Sequence, residues 1–259
     1  MEKIIKSTPI TVSLSVVSHS QMNLVALLMQ DIEAHCQGMS IELILTLNIH
    51  EDFQLDMKIF SYPVTVIKNV KPKGFGANHN QAFRSARGDY FCILNPDIRL
   101  HDCPFQPLQQ LLKDDSIGVV APWVFNPQGF MEDSARHFPT PSILLGKLFR
   151  KHWTSDYSLC NNPVNVDWVA GMFMMFSRQI FQQMNGFNER YFLYYEDVEL
   201  CARLNLAHLR VMVCPTCHVI HHAQRQSHRS LTFLRWHISS LLRFLCSPQY
   251  RQLKQLHRL

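Results

Sequence analysis

The chain has 259 residues, 47% of them hydrophobic, and a formal charge of +5. That is enough apolar material for one large α/β core, and it excludes a disordered chain. The charge is uneven: residues 200–259 hold nine Lys or Arg and no acid, whereas the preceding residues hold 16 basic against 20 acidic side chains. A mildly acidic body thus carries a basic tail, and charge alone does not choose among nucleic acid, anionic lipid and phosphorylated substrate as its partner.

Lys3 and Lys6 precede an apolar stretch in the manner of a weak signal peptide, but Thr11, Ser13 and Ser15 alternate with Val12, Leu14 and Val16. A period of two belongs to a strand, which is expected over Ile10 to Ser18. No apolar run approaches the roughly 18 residues needed to cross a bilayer, so a cytoplasmic protein with eight reduced cysteines is expected. A helix follows near Met22 to His35, where Leu24, Leu27, Leu28 and Ile32 fall at helical spacing. Short apolar runs at Ile41 to Leu47 and Pro63 to Ile67 have strand length, Gly76 to Arg87 reads as a helix closed by Gly88, and Tyr90 to Leu94 is another strand. Strands alternating with helices predict βαβ units and a mostly parallel sheet, whose ligands sit at the carboxyl ends of the strands. That rule points to Asn95-Pro96-Asp97.

Gly118 to Pro122 is strand-like, and the polar stretch from Asn126 to Asn165 has the length of a functional loop or lid. An apolar run from Val166 to Phe176, interrupted by Gly171, is followed by a short helix from Arg178 to Met184, the turn Asn185-Gly186 and a helix from Glu196 to Leu206. Leu209 to Val213 begins a strand that ends in Cys214-Pro215-Thr216-Cys217-His218. This matches the haem-attachment pattern literally and, with His221 and His222, sketches a zinc site. Export and a second Cys pair, which these readings need, are both missing, so the thiols read as small buried groups.

Three segments carry chemistry. Phe192-Leu193-Tyr194-Tyr195-Glu196-Asp197-Val198-Glu199 ends an aromatic run on adjacent carboxylates. Aromatic neighbours raise a carboxylate's pKa by desolvation and make it a better proton acceptor at neutral pH; the alternative is a helix N-terminus, where acids oppose the macrodipole. Gly74-Phe75-Gly76-Ala77-Asn78-His79-Asn80-Gln81 opens a helix after a strand, so its glycines can admit a phosphate or sugar and its amides can bond one, or it is a plain turn. Asp97 at a strand end is either an oxygen ligand for a divalent cation bound to a diphosphate or the cap of a turn.

In their order along the chain, Val16-Val17-Ser18-His19, the Gly74 to Ala82 segment, Leu94-Asn95-Pro96-Asp97, Val166 to Gly171 and Asn185 to Asp197 resemble family 2 glycosyltransferases, inverting enzymes of the GT-A fold. The likeness runs from about Ile10 to Leu245 and is greatest to bacterial rhamnosyltransferases of O-antigen assembly. It implies an α/β GT-A domain over residues 1–225, with a basic amphipathic helical segment over 226–259. It further implies transfer of L-rhamnose from dTDP-L-rhamnose to a diphospho-undecaprenol-linked sugar such as GlcNAc, with Mg2+ or Mn2+ as cofactor.

By position, Asp97 matches the second acid of the metal-binding DXD element, Asn95 stands in place of the first, and His221 or His222, of which His221 is preferred, completes the metal or diphosphate site. Asp197 matches the catalytic base, with Glu196 and Glu199 in support. Ser18, His19, Asn48, Gly76, Asn78, Asn80, Asn95 and Asp97 are expected at the nucleotide sugar, and Arg136, Asp167 and Trp168 at the acceptor. Where the family has Asp-Asn after its second strand, this chain has Leu47-Asn48, so the usual carboxylate contact to the base is missing. A UDP-hexose donor, or a non-catalytic nucleotide-sugar-binding protein, therefore stand as alternatives.

From Arg229 to Leu245 the tail sets Leu231, Leu234, Ile238, Leu241, Leu242 and Leu245 at helical spacing among Arg229, Arg235 and Arg243. Such a helix either covers the core or lies on an anionic membrane surface, where a lipid-linked acceptor requires the enzyme to work, on the inner face of the cell membrane. Nucleic acid is not expected as a partner, because no interleaved aromatic platform accompanies the basic residues.

Overall fold

The structure, a computed structural model, describes residues 10–52, 55–140, 143, 155–223 and 231–257. Lys3, Lys6, Arg225 and Arg229, and part of the long stretch before Asn165, lie outside them.

The first half of the chain is built as its periodicity dictates. Strands β1 (Val12–Ser18), β2 (Ile41–Leu47), β3 (Val64–Lys68) and β4 (Tyr90–Leu94) are parallel in the order β3-β2-β1-β4, with α1 (Met22–His35) and α2 (Phe75–Ser85) in the crossovers. On β1, Val12, Leu14 and Val16 face one core. Ser13 and Ser15 are equally buried on the other face, where Ser13 donates to Glu42 and Ser15 bonds His79. Buried hydroxyls are tolerated there because each has a partner. Helix α2 stops at Ser85, with Ala86 already extended, ahead of the expected Gly88.

Beyond β4 come β5 (Ile98–Arg99), α3 (Phe105–Leu111), β6 (Ile117–Phe125), β7 (Ala135–Arg136), β8 (Val164–Val166), β9 (Trp168–Val169), β10 (Phe173–Ser177), α4 (Arg178–Gln183), α5 (Glu196–Leu206) and β11 (Arg210–His221). The order continues β4-β10-β6-β11-β5. Strand β10 is antiparallel to β4 and β6, and β5 and β8 are antiparallel to β11, so the mostly parallel sheet, in which β3, β2, β1, β4, β6 and β11 run one way, contains three reversed strands. For β10 the reason lies at its entry: the Asn95 amide bonds the Met172 carbonyl and Phe173 pairs with Leu94, so β10 begins where β4 ends and must run back.

One core lies between the sheet and α1 and α3, the other beneath α2, α4 and α5. The tail, expected to be helical over 226–259, forms two helices, α6 (Leu231–Leu245) and α7 (Pro248–His257). Phe244, Tyr250 and Leu253 insert into the second core. Among the described residues, no helix is long and apolar enough to cross a membrane.

Candidate active site

Asp97 and His221 meet because β5 pairs with the end of β11, His221 opposite Ile98, while the His222 amide bonds the Asp97 carbonyl. Arg99 fastens β5 to α1 through a bidentate pair with Asp31, at 2.6 and 2.8 Å. Asp97 Oδ2 lies 3.3 Å from His221 Nε2, and Glu132 Oε2 lies 2.6 Å from Nδ1 on the other side of the ring. Burial opposes the charged imidazole, but the hydrogen bonds and charges of Asp97 and Glu132 outweigh it and carry the His221 pKa up to about 9. Glu132 was missed by the sequence reading. It follows a surface turn at Asn126-Pro127 and carries no local signal, although a ligating histidine generally has a carboxylate behind it.

Asp97 Oδ1 is buried with no hydrogen-bond partner among the described residues. An orphaned carboxylate oxygen is costly unless something occupies it. Among the described residues no group of three or more His, Cys, Asp or Glu could hold a metal ion alone. One carboxylate and one imidazole nevertheless suit Mg2+ or Mn2+, which take few protein ligands and fill the remaining positions with water and substrate phosphate.

The second centre is the loop running into α5. Tyr194 and Tyr195 are consecutive non-glycine residues at φ 70° and 68°, a left-handed conformation that costs of order 1–3 kcal/mol per residue and gathers at functional sites. Asp197 follows, its Oδ2 accepting from the Gly171 amide at 2.9 Å and its Oδ1 from the Val198 amide at 2.8 Å. Burial raises its pKa, against the two amides and the charge of Arg136. Glu196 is 4% exposed with Oε2 unpartnered, and burial and the charge of Asp197 push its pKa well up. Glu199 has a different task. It grips Arg203, which donates to the carbonyls of Met184 and Gly186 and so fastens the Asn185-Gly186 turn.

Among the residues expected at the nucleotide sugar, Ser18 ends β1 and donates to Glu51 Oε2 at 3.0 Å, while Glu51 Oε1 is buried and unpartnered. Asn48 ties Lys73 to the loop through both its amide groups and reaches His19, which is exposed. Asn78 bonds Asn69 and the Lys73 carbonyl. These residues form one polar rim at the carboxyl ends of β1 and β2.

Two expectations for the glycine segment are met differently. A Cβ on Gly76 would lie 2.6 Å from Phe187 Cβ, and one on Gly74 would lie 2.5 Å from the Phe192 carbonyl oxygen. Both glycines are thus required by packing of α2 against the loop from Phe187 to Phe192. Asn80 is not brought to the rim. It clamps the Phe187 backbone, bonds Glu189, and lines a groove that contains none of Asp97, Asp197 or His221.

Arg136 and Trp168 are register partners of β7 and β9, with the guanidinium 5.3 Å from the indole centroid. Arg136 is also paired with Asp133 at 2.9 Å. Trp168 donates to the His137 carbonyl, and Asp167 accepts from the Phe138 amide and contacts His137 and Tyr157. Ala170 bonds Ser134 immediately before Gly171, so this ribbon carries the amide that holds Asp197.

Residues 45–184 match the family described as Glycosyl transferase family 2, and residues 151–229 match the N-terminal domain of galactosyltransferase. The chain belongs to glycosyl transferase family 2. Among curated members of the family, the rhamnosyltransferase WbbL of Escherichia coli K12 is 33% identical over 187 residues, 66% of this chain and 70% of that protein. The N-acetylglucosaminyl-diphospho-decaprenol L-rhamnosyltransferase of Mycobacterium tuberculosis is 30% identical over 54% of this chain and 49% of its own length. Among solved structures, GalNAc-T7 crystallised with UDP, GalNAc and Mn2+ aligns with TM-score 0.61 at 16% identity, covering 93% of this chain and 48% of that one. The mannosyltransferase PcManGT of Pyrobaculum calidifontis, in complex with GDP-Man and Mn2+, aligns with TM-score 0.60 at 15% identity, covering 92% and 67%. At such identities the likeness establishes the mixed α/β GT-A fold with its central sheet and flanking helices, and no more.

Proposed function

We propose that this family 2 glycosyltransferase transfers L-rhamnose from dTDP-L-rhamnose, with inversion, to a diphospho-undecaprenol-linked GlcNAc during O-antigen assembly. The observation that carries the mechanism is Asp197, a carboxylate of raised proton affinity fixed by two backbone amides at the end of a strained loop. A carboxylate so placed is prepared to take the proton of an acceptor hydroxyl as that oxygen attacks the anomeric carbon from the face opposite the leaving nucleoside diphosphate. Burial and the charge of Asp197 push the Glu196 carboxyl towards its neutral form, which favours Asp197 as the base. Asp97 and His221 would hold Mg2+ or Mn2+, which neutralises the departing diphosphate when bound. The rim of Ser18, His19, Asn48 and Asn78 faces the nucleotide, and Arg136 with Trp168 faces the acceptor. The names of the Escherichia coli and mycobacterial relatives support rhamnose as the sugar and, for the latter, a lipid-diphosphate-linked GlcNAc as acceptor.

The exposed leucines of α6 among Arg235 and Arg243 support attachment to the inner face of the cell membrane, where such an acceptor resides. Leu47 favours a second reading, a UDP-hexose donor, because the family's base-contacting acid is replaced there.

The test supplies dTDP- and UDP-sugars, a synthetic diphospholipid-linked GlcNAc and either cation, and identifies the product by mass and its anomeric configuration by NMR. Rhamnosyl product with dTDP release and inverted configuration is expected. Asp197→Asn should lower turnover at least 10²-fold with donor binding retained. Near wild-type turnover in that variant refutes the assignment of the base, and product from UDP-hexose alone refutes the donor.

A further inference from the structure

The motif Cys214-Pro215-Thr216-Cys217 is not used by the site above. Along a regular strand, residues three apart point to opposite faces. Strand β11 breaks that alternation. Cys214 pairs with Pro122 and His218 with Trp123, so the residues between them loop out against a single step of β6. Met212 and Cys214 before the bulge, and Cys217 and Val219 after it, consequently face the same core. Both thiols are only 2% exposed, and each is the largest influence on the other's proton affinity. The Thr216 hydroxyl lies 3.3 Å from Cys214 Sγ, and the Thr216 and Cys217 amides help to stabilise that sulfur as an anion. The Cys217 thiol and these donors, working against burial, bring the Cys214 pKa down to about 6. The loop itself reaches solvent, with Thr216 and His218 exposed and Pro215 half-buried. All eight cysteines are free thiols.

We propose that Cys214 and Cys217 form a redox-modification site, a dithiol that closes to a disulfide by exchange with a low-molecular-weight disulfide such as oxidised glutathione. The Cys214 thiolate attacks one sulfur of the small disulfide, forming a mixed disulfide and releasing one small thiolate, which takes a proton from solvent. Cys217 gives its proton to solvent and attacks Cys214 Sγ, and the second small thiolate leaves and is protonated. The protein dithiol loses two electrons and two protons, and the small disulfide is reduced to two thiols. Access requires opening of the bulge, whose residues lack ladder bonds to β6 and therefore open more readily than the paired strand. Cys36 and Cys103, each of which shifts the other's proton affinity, are the competing pair.

The full-length protein is incubated natively with oxidised glutathione, quenched in acid, alkylated and digested with trypsin. Arg210 and Arg225 place both cysteines on the single peptide 211–225. After oxidation that peptide is expected unalkylated and two hydrogens lighter than the dithiol, and doubly alkylated again once a thiol reductant is added. In Cys217→Ser, Cys214 should stop as the glutathione adduct. The proposal is overturned if 211–225 is doubly alkylated while the exposed Cys160 and Cys246 carry glutathione, or if either cysteine is instead linked to Cys36 or Cys103.

Discussion

His79 gives the fold a calculable sensitivity to acid. It lies in α2, 1% exposed, with Nδ1 bonded to Ser15 at 2.8 Å, Nε2 unpartnered, and the Phe75 and Phe187 rings 4.5 and 6.2 Å away. Burial lowers its pKa to about 3 from an unfolded value of 6.5. Between these values the unfolded chain binds the proton and the folded chain does not, so stability is full above pH 6.5 and falls as the pH drops towards 3. The whole shift corresponds to about 4–5 kcal/mol, of which about 2 kcal/mol is lost between pH 7 and pH 5. The perturbation is His79→Gln, whose amide can still bond Ser15 but does not titrate. Urea unfolding followed by circular dichroism at pH 7 and pH 5 gives the two stabilities for each protein. The variant is expected to be less stable at pH 7, because it fills the site less well, yet to lose about 2 kcal/mol less than the wild type on going to pH 5. Equal losses in the two proteins would refute the buried neutral imidazole.

Glu132→Gln keeps the hydrogen bond to His221 Nδ1 and removes the charge, so divalent-cation affinity, read by the metal dependence of turnover, should weaken about 10- to 100-fold. Unchanged metal dependence would detach Glu132 from the site. Glu51→Gln should raise the KM for the nucleotide sugar with kcat little changed, since the half-buried Glu51, its Oε1 unpartnered, stands beside Ser18 where the family's acid is absent at Leu47; a change in kcat alone would place it elsewhere. Vesicles containing anionic lipid should float the protein, and high salt should release it, because each Lys or Arg at such a surface contributes about 1 kcal/mol. Flotation indifferent to salt would remove the electrostatic part of that argument.

What was legible in the sequence was local. The bounds expected for α1, β2, β4 and α5 coincide with those observed, because each is an apolar pattern of one period flanked by turn residues. The direction of β10 was not legible, since periodicity gives a strand but not its partner. The division of the helical tail into α6 and α7 was not legible for a different reason: among the described side chains of Pro248–His257 only Tyr250 and Leu253 are buried, too few apolar positions for a pattern of their own. At the site, Asp97, Asp197 and His221 could be named from their order along the chain. Glu132 and Glu51 could not, because nothing near them in sequence states that they face His221 and Ser18. Gly74 and Gly76 were conspicuous, but the loop that demands them lies more than a hundred residues away at Phe187 and Phe192.

That distant packing explains how two left-handed tyrosines persist. A pair at of order 1–3 kcal/mol each relaxes unless its surroundings leave no alternative. Here the Phe75 amide bonds the Phe192 carbonyl at 2.9 Å, and Ser240 on α6 bonds the Leu193 carbonyl at 2.9 Å. His237 packs edge-on against both Tyr194 and Tyr195, with Trp236 against Phe192. The loop before Asp197 is therefore held between the first turn of α2 and the inner face of α6, whose outer face exposes Leu231, Leu234, Ile238 and Leu242. Anything that seats on that outer face bears on the same helix that fixes the backbone of the loop before Asp197, so under the proposed function a surface carrying the acceptor and the loop that activates it would share one rigid support.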